Sequence, residues 1–203
     1  MEIGVVREMK RPTILRPSIL AVLLTVAFFP ALVGCGSSAQ SYVKPMVDFS
    51  YLQRTAVLPF QNLTRDDLAD ERMQSVFLTE LLSAEILEVS DPRETAAALL
   101  TLGIPNNQAL TPEQAVALGK QLSVDAIFSG IVEDYGFARG GLDRSPEITL
   151  VLALTETETG SIVWRSQVHE TGSSFWKRIF GGSPDDIYEV SRETVRKALG
   201  TLL

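Results

Sequence analysis

Few residues in this 203-residue chain have the types and spacing that chemistry requires. Cys35 is the only cysteine and His169 the only histidine, and no His/Cys spacing offers the ligand set of a zinc site. No serine lies in a G-x-S-x-G elbow. Gly119-Lys120 is followed by Gln121 and lacks the upstream glycine of a phosphate loop. Asp66, Asp67, Asp70 and Glu71 cluster at a predicted helix start, where the dipole favours carboxylates without any metal. His169 falls on a predicted strand among Val163, Arg165 and Gln167, the setting of a surface or edge residue rather than a base. The expectation is a protein with no catalytic residues, no cofactor and no metal, and so not an enzyme. What remains is Cys35 itself. A lone thiol makes no intramolecular disulfide, and in an oxidising compartment it is at risk unless it is chemically consumed.

The residues around Cys35 suggest how it is consumed. Arg7, Lys10, Arg11 and Arg16 form a basic flank, followed by an uncharged run from Pro17 to Gly34 that is densest at Ile19–Phe29. That is the order of a secretory signal peptide, and starting at Met9 instead of Met1 would make its basic region tidier. The dense stretch is shorter than the roughly 20 residues of a membrane-spanning helix, and Pro30 interrupts it. Leu32-Val33-Gly34-Cys35 resembles the lipobox of bacterial lipoproteins. The resemblance implies diacylglyceryl transfer to the Cys35 sulfur, cleavage before it, and acylation of the new amino group. Each buried methylene is worth about 0.8 kcal/mol, and two or more chains anchor stably where one does not. Gly36 follows, where enteric inner-membrane lipoproteins carry aspartate, so an outer-membrane, periplasm-facing location is expected. Gly36–Lys44, with Gly, Ser, Ala and Gln, reads as a flexible spacer. The expected organisation is therefore a signal peptide over 1–34, a lipidated tether over 35–53 and one domain over 54–203.

Length and composition suit one domain: 45% hydrophobic and 21% charged residues are ordinary. The four cations and two carboxylates of residues 1–34 leave the rest with 14 basic and 23 acidic residues, −9 net. Such a surface repels nucleic acid, which is excluded as a partner. Arg54–Phe60 reads as a buried strand closed by Pro59, and a helix follows with Met73, Val76, Phe77, Leu81 and Ala84 on one face. Ile86–Ser90 is a second short strand. Asp91-Pro92-Arg93-Glu94 and Thr111-Pro112-Glu113-Gln114 each start a helix with a cap and a proline at its first position. Asp125–Tyr135, apolar on both faces, is a central strand. Glu147–Thr157 and Ser161–Glu170 alternate strictly about a turn at Glu158-Thr159-Gly160, and Ser183-Pro184 starts a last helix. The order is β-α-β-α-α-β-β-β-α, an α/β (α+β) fold. Its mixed sheet has about five strands, with helices packed mainly on one face.

Three segments carry a further resemblance: Ala56–Thr64 (AVLPFQNLT), Leu122–Val132 (LSVDAIFSGIV) and Thr157–Trp164 (TETGSIVW). In this order they are similar to the TolB amino-terminal domain, the curli-export lipoprotein CsgG and the LpoB-type lipoproteins that activate penicillin-binding proteins. The shared residues are structural. The resemblance implies that Pro59 ends a strand, Asn62 and Thr64 shape a turn, Gly130 admits a close neighbour and Trp164 fills the core. The turn also accounts for the sequon-like Asn62-Leu63-Thr64. CsgG builds a membrane barrel from extra hairpins, and a barrel strand needs about 9–11 alternating residues. Only Glu147–Glu170 has that length here, and the domain's own sheet uses it. The expected function is a non-enzymatic, membrane-tethered lipoprotein, held by the lipid on Cys35, that docks on an unidentified envelope protein as assembly factor, scaffold or activator. The alternative is a component of an export or secretion complex that oligomerises into a ring. Phe175, Trp176, Lys177, Arg178 and Phe180 are the candidate partner contacts, because a cationic aromatic loop stands out in an acidic domain. Packing of Trp176 and Phe180 beneath the last helix is the competing reading.

Overall fold

The central strands are apolar on both sides, so they need cover on both, and the chain supplies it by winding in two directions. The computed structural model describes residues 38–46, 49–85, 87–106, 108–138, 145–172 and 186–202. They form β1 (Ser38–Val43), a 3-10 turn at Phe49–Tyr51, β2 (Arg54–Val57), β3 (Gln61–Asn62), α1 (Ala69–Ser83), β4 (Glu88–Val89), α2 (Pro92–Thr101), α3 (Pro112–Leu122), β5 (Ala126–Phe137), β6 (Pro146–Glu156), β7 (Ile162–Thr171) and α4 (Ile187–Leu199). The sheet runs β1-β7-β6-β5-β2-β4, with β3 paired to β5 beyond the end of β2. Strands β2, β3, β4 and β5 are parallel to one another, and β1, β6 and β7 complete an antiparallel half.

From β2 the chain moves outward through α1 to β4, then returns past β2 through α2 and α3 to β5. Right-handed crossovers in opposite directions place their helices on opposite faces. Val57 and Phe128 accordingly pack with Met73, Phe77 and Val195 on the α1/α4 side, while Ala56, Leu58 and Ile127 pack with Leu99 and Leu118 on the α2/α3 side. Among the described residues the helix that packs along β6 and β7 is α4, on one face. The expectation of helices mainly on one face thus holds for the antiparallel half, whereas the parallel half is covered on both. The sheet has seven strands rather than about five, the additional ones being β1 and the two-residue β3.

β1 lies inside the stretch expected to be a tether. Ser38–Val43 pairs along its full length with β7, Lys44 N donates to the Val163 carbonyl at 2.9 Å, and Leu52 is 4% exposed in the core. Residues 38–43 are therefore a strand of the sheet, although they fall within the 35–53 expected to be tether.

Local signals behave as their chemistry requires. Asp91 caps α2 by accepting from Arg93 N at 2.8 Å, and Thr111 and Gln114 form a reciprocal capping box on α3. α1 ends at Ser83, which leaves Ala84 exposed rather than on its buried face. α4 starts at Ile187 behind Asp186, and the expected cap Ser183 lies outside the described residues. Gly160 adopts φ +69° in the β6–β7 turn and lies so close to α3 that a Cβ there would fall 2.4 Å from the Pro112 carbonyl oxygen.

One charged group joins the two helices of the larger core. Glu80 on α1 is 8% exposed and accepts from Arg192 Nε at 2.7 Å and Arg196 Nε at 2.6 Å, one helical turn apart on α4. Burial pushes the Glu80 carboxyl up, but the hydrogen bonds and charges of the two guanidiniums outweigh it and hold it below its ordinary 4.5. A depressed carboxylate stabilises the fold above its unfolded value, and the contribution is lost as pH falls through the folded value. Glu80→Gln should therefore cost about 1.5–3 kcal/mol at neutral pH, toward the lower end because solvent reaches both arginines. Its stability should also fall less than the wild type's between neutral and acid pH. Urea melts across that range measure both, and parallel pH curves for the two proteins would exclude the role.

Candidate functional site

The residues singled out for function, Cys35 and Phe175, Trp176, Lys177, Arg178 and Phe180, lie outside the described residues, but their flanks are well placed. β1 begins opposite the end of β7, with Ser38 facing His169. At the same end Gly172 N donates to the Pro146 carbonyl at 2.8 Å, and Ala138 N donates to the Ser145 carbonyl at 2.9 Å. The start of β1, the end of β7 leading toward Phe175, and the hairpin between β5 and β6 therefore share one pole of the sheet.

A cleft of about 570 Å³ opens near this pole, where Leu63 and Arg65 face Asp134, Phe137 and Glu147. Leu63 is 66% and Phe137 51% exposed. The cleft's outer wall is the turn after β3, built on one side chain. Asn62 Nδ2 donates to the Asp66 carbonyl at 2.7 Å and to Asp70 Oδ1 at 3.2 Å, while its Oδ1 accepts from Thr64 N at 2.9 Å and Thr64 Oγ1 at 2.8 Å. Asp66 in turn accepts from Leu68 N at 3.0 Å and pairs with Arg72 at 2.7 Å. Asp66 and Asp70 of the acidic cluster are thus engaged in starting α1, whose N-cap position, Leu68, has no side chain able to cap. Among the described residues no group of three or more His, Cys, Asp or Glu is placed to hold a metal.

His169 is half-buried. Its Nδ1 lies 2.9 Å from Thr149 Oγ1 and its Nε2 3.7 Å from a Glu147 carboxylate oxygen. β7 is an inner strand, because β1 covers it, so of the expected surface or edge settings His169 takes the surface one, on the sheet face opposite α4. On that face Gln167 Nε2 donates to Glu133 Oε2 at 3.0 Å across β6. The bridge passes over Val151, which stands between Gln167 and Ile131 in register and is 2% exposed. The sequence reading missed the opposite pole, where the Tyr51 hydroxyl donates to Glu156, whose carboxyl is held below its ordinary value by that bond. Tyr51 falls in the stretch expected to be tether, so no sequence signal pairs the two.

The peptidoglycan-synthase activator LpoB family model matches residues 38–169. The chain belongs to the LpoB family. That match narrows the threefold resemblance to the LpoB group. It begins with β1 and ends two residues short of the end of β7, so it spans the whole sheet and stops before the Phe175–Phe180 segment. No curated protein is significantly similar in sequence. Solved structures share the fold. PelC from Paraburkholderia phytofirmans, a dodecamer, is 18% identical with a TM-score of 0.58, over 82% of this chain and 97% of that one. The lipoprotein GNA1162 from Neisseria meningitidis is 17% identical with a TM-score of 0.51, over 73% and 99%. The protein CT253 from Chlamydia trachomatis is 12% identical with a TM-score of 0.52, over 74% and 95%.

In this LpoB-family domain the Asn62 turn sets one wall of the polar cleft and the start of α1 together. Asn62→Ala removes four hydrogen bonds from half-buried groups and should cost about 1–3 kcal/mol. Guanidinium melts of the wild type and variant would measure it. A change of only a few tenths would mean that water replaces the side chain and that the turn holds by its backbone alone.

Proposed function

We propose that this chain is a lipid-anchored envelope lipoprotein that docks on a peptidoglycan synthase and raises its activity, without chemistry of its own. The observation that carries the reading is the family match across the entire sheet, from Ser38 to His169. The lipobox ending at Cys35 supports the anchor, and Gly36 after it supports the outer membrane facing the periplasm. Absence of a nucleophile–base pair from the sequence agrees with an activator that works by contact. The contact residues in this reading are Phe175, Trp176, Lys177, Arg178 and Phe180, since Trp, Phe and Arg dominate such patches. They lie past the end of the family match, where relatives of one fold are free to differ.

A second reading follows from PelC. That protein shares the fold and is a dodecamer, which favours a ring-forming assembly for this chain, the form expected of an oligomerising component of an envelope export complex. Light scattering on the purified domain separates the two, with a monomer or dimer for the docking activator and a large ring for the exporter component.

Two outcomes are expected in cells and in solution. Supplied radiolabelled palmitate should mark the wild type and leave Cys35→Ala unlabelled as an uncleaved precursor; an unlabelled wild type would remove the anchor from the reading. The wild-type domain should capture the host's peptidoglycan synthase and speed its polymerisation of glycan. Trp176→Ala combined with Lys177→Glu should lose both effects with little change in melting temperature. Unfolding of the double variant would place these aromatics in the core, and full retention of capture would move the contact elsewhere.

A further inference from the structure

The sheet ends in two edges of unequal kind. One is β4, only Glu88 and Val89 long and headed by a charge that pairs with Arg54 at 3.4 Å. The other is β1, whose one strand neighbour among the described residues is β7. Hydrogen bonds alternate along an antiparallel ladder, so every second residue of β1 turns its amide and carbonyl toward β7. Lys44 N donates to the Val163 carbonyl, and Gln40 and Tyr42 share its phase, opposite Gln167 and Arg165. The bond from Gly172 N to the Pro146 carbonyl, on the far side of β7, agrees with that phase. Ala39, Ser41 and Val43 therefore turn their N–H and C=O groups outward. β1 carries none of the devices that blunt an edge. Ser38–Val43 (SAQSYV) holds no charge and no proline, and its register with β7 runs without a bulge. Ala39 to Val43 are all exposed, Tyr42 at 51% and Val43 at 42%.

We infer that β1 is the pairing edge of a two-fold dimer, in which a second copy of this chain adds its own β1 antiparallel and joins the two sheets into one. With Ser41 opposite its own counterpart, Val43 of each copy stands opposite Ala39 of the other. The outward groups of Ala39, Ser41 and Val43 then satisfy one another in full. Tyr42 comes to lie beside the other copy's Gln40. Charge and symmetry select a second copy as the occupant. An acidic domain repels its own copies wherever carboxylates meet, but this edge is uncharged, and each exposed apolar side chain on it meets a neutral one. The three outward residues are spaced symmetrically about Ser41, so the strand is its own complement. Such a contact is isologous and closes at two copies, since pairing uses up the edge. The dimer goes beyond the docking reading and does not depend on it.

Light scattering on the full chain purified in detergent tests the pairing, with the mass of the detergent subtracted. The wild type should have twice the mass of one polypeptide. Ser41→Pro removes an outward N–H and leaves the bonds to β7 in place, because proline is tolerated on the open side of an edge strand. It should halve the mass while the circular dichroism stays that of the wild type. Ser41→Cys gives a second measurement that does not depend on how the proline variant folds. Facing residues of a hydrogen-bonded pair have Cα atoms about 5.5 Å apart, within disulfide reach. Oxidation of intact cells should therefore convert Ser41→Cys to a covalent dimer and leave Glu158→Cys, at the exposed turn between β6 and β7, as a monomer. A monomeric wild type overturns the proposal and leaves the edge to a strand of another protein. An assembly larger than a dimer also overturns it, as does a dimer that survives Ser41→Pro or a Ser41→Cys variant that no oxidant crosslinks.

Discussion

The fold depends on Phe60 occupying space that any side chain on the central strand would fill. A Cβ on Gly130 would fall 2.7 Å from three atoms of the Phe60 ring, so β5 must carry glycine where the chain after β2 folds over it. From Phe60 a file of aromatic rings runs through the larger core. Phe60 and Phe77 are 5.5 Å apart, Phe77 and Phe128 5.2 Å, and Phe128 and Trp164 6.2 Å, the last two pairs edge to face. Such pairs add about 0.5–1.5 kcal/mol each beyond the area they bury. The file ties β2's exit, α1, β5 and β7 into one body. Trp164 closes it by donating from Nε1 to Thr201 Oγ1 at 3.1 Å, just past α4, which satisfies its only polar atom.

That file explains which parts of the architecture could be read from sequence. Phe77, Phe128 and Trp164 sit in segments whose periodicity is unmistakable, and Gly130 and Pro59 punctuate them. Elements that bury apolar stripes were therefore found close to their observed limits. β1 was not. Its residues up to Ser41 are small or polar, and all those in Ser38–Val43 whose burial is described are exposed, Tyr42 and Val43 included, so no alternation is demanded of them. Backbone pairing to β7 alone makes it a strand, and composition carries no trace of that pairing. The two-directional winding was hidden for another reason. A stripe shows that a helix is covered, but not on which side of the sheet it lies.

The candidate site was legible only in its structural part. Asn62, Thr64 and Asp66 stand as a turn because their spacing lets one side chain serve a local loop. The Glu80 bridge had no such signal, since its two arginines are 112 and 116 residues away and meet it only once α1 and α4 pack side by side. Ion pairs between elements distant in sequence depend on the tertiary fold, and single-element patterns do not register them.

Sharing a fold at 12 to 18% identity is what this division of labour produces. The requirements at Gly130, at the ring file and at the doubly covered strands are met by packing and backbone geometry, which many sequences satisfy. None of them involves a group that binds a ligand, and the described polar residues are largely occupied with turns, caps and bridges. What distinguishes one such domain from another must then lie where the common core makes few demands: in its connections, its open sheet face and its attachment at β1. Here the family match covers the sheet and stops before the most cationic, aromatic connection. The shared part specifies a body with two distinct poles. Which proteins it meets depends on what is mounted at those poles.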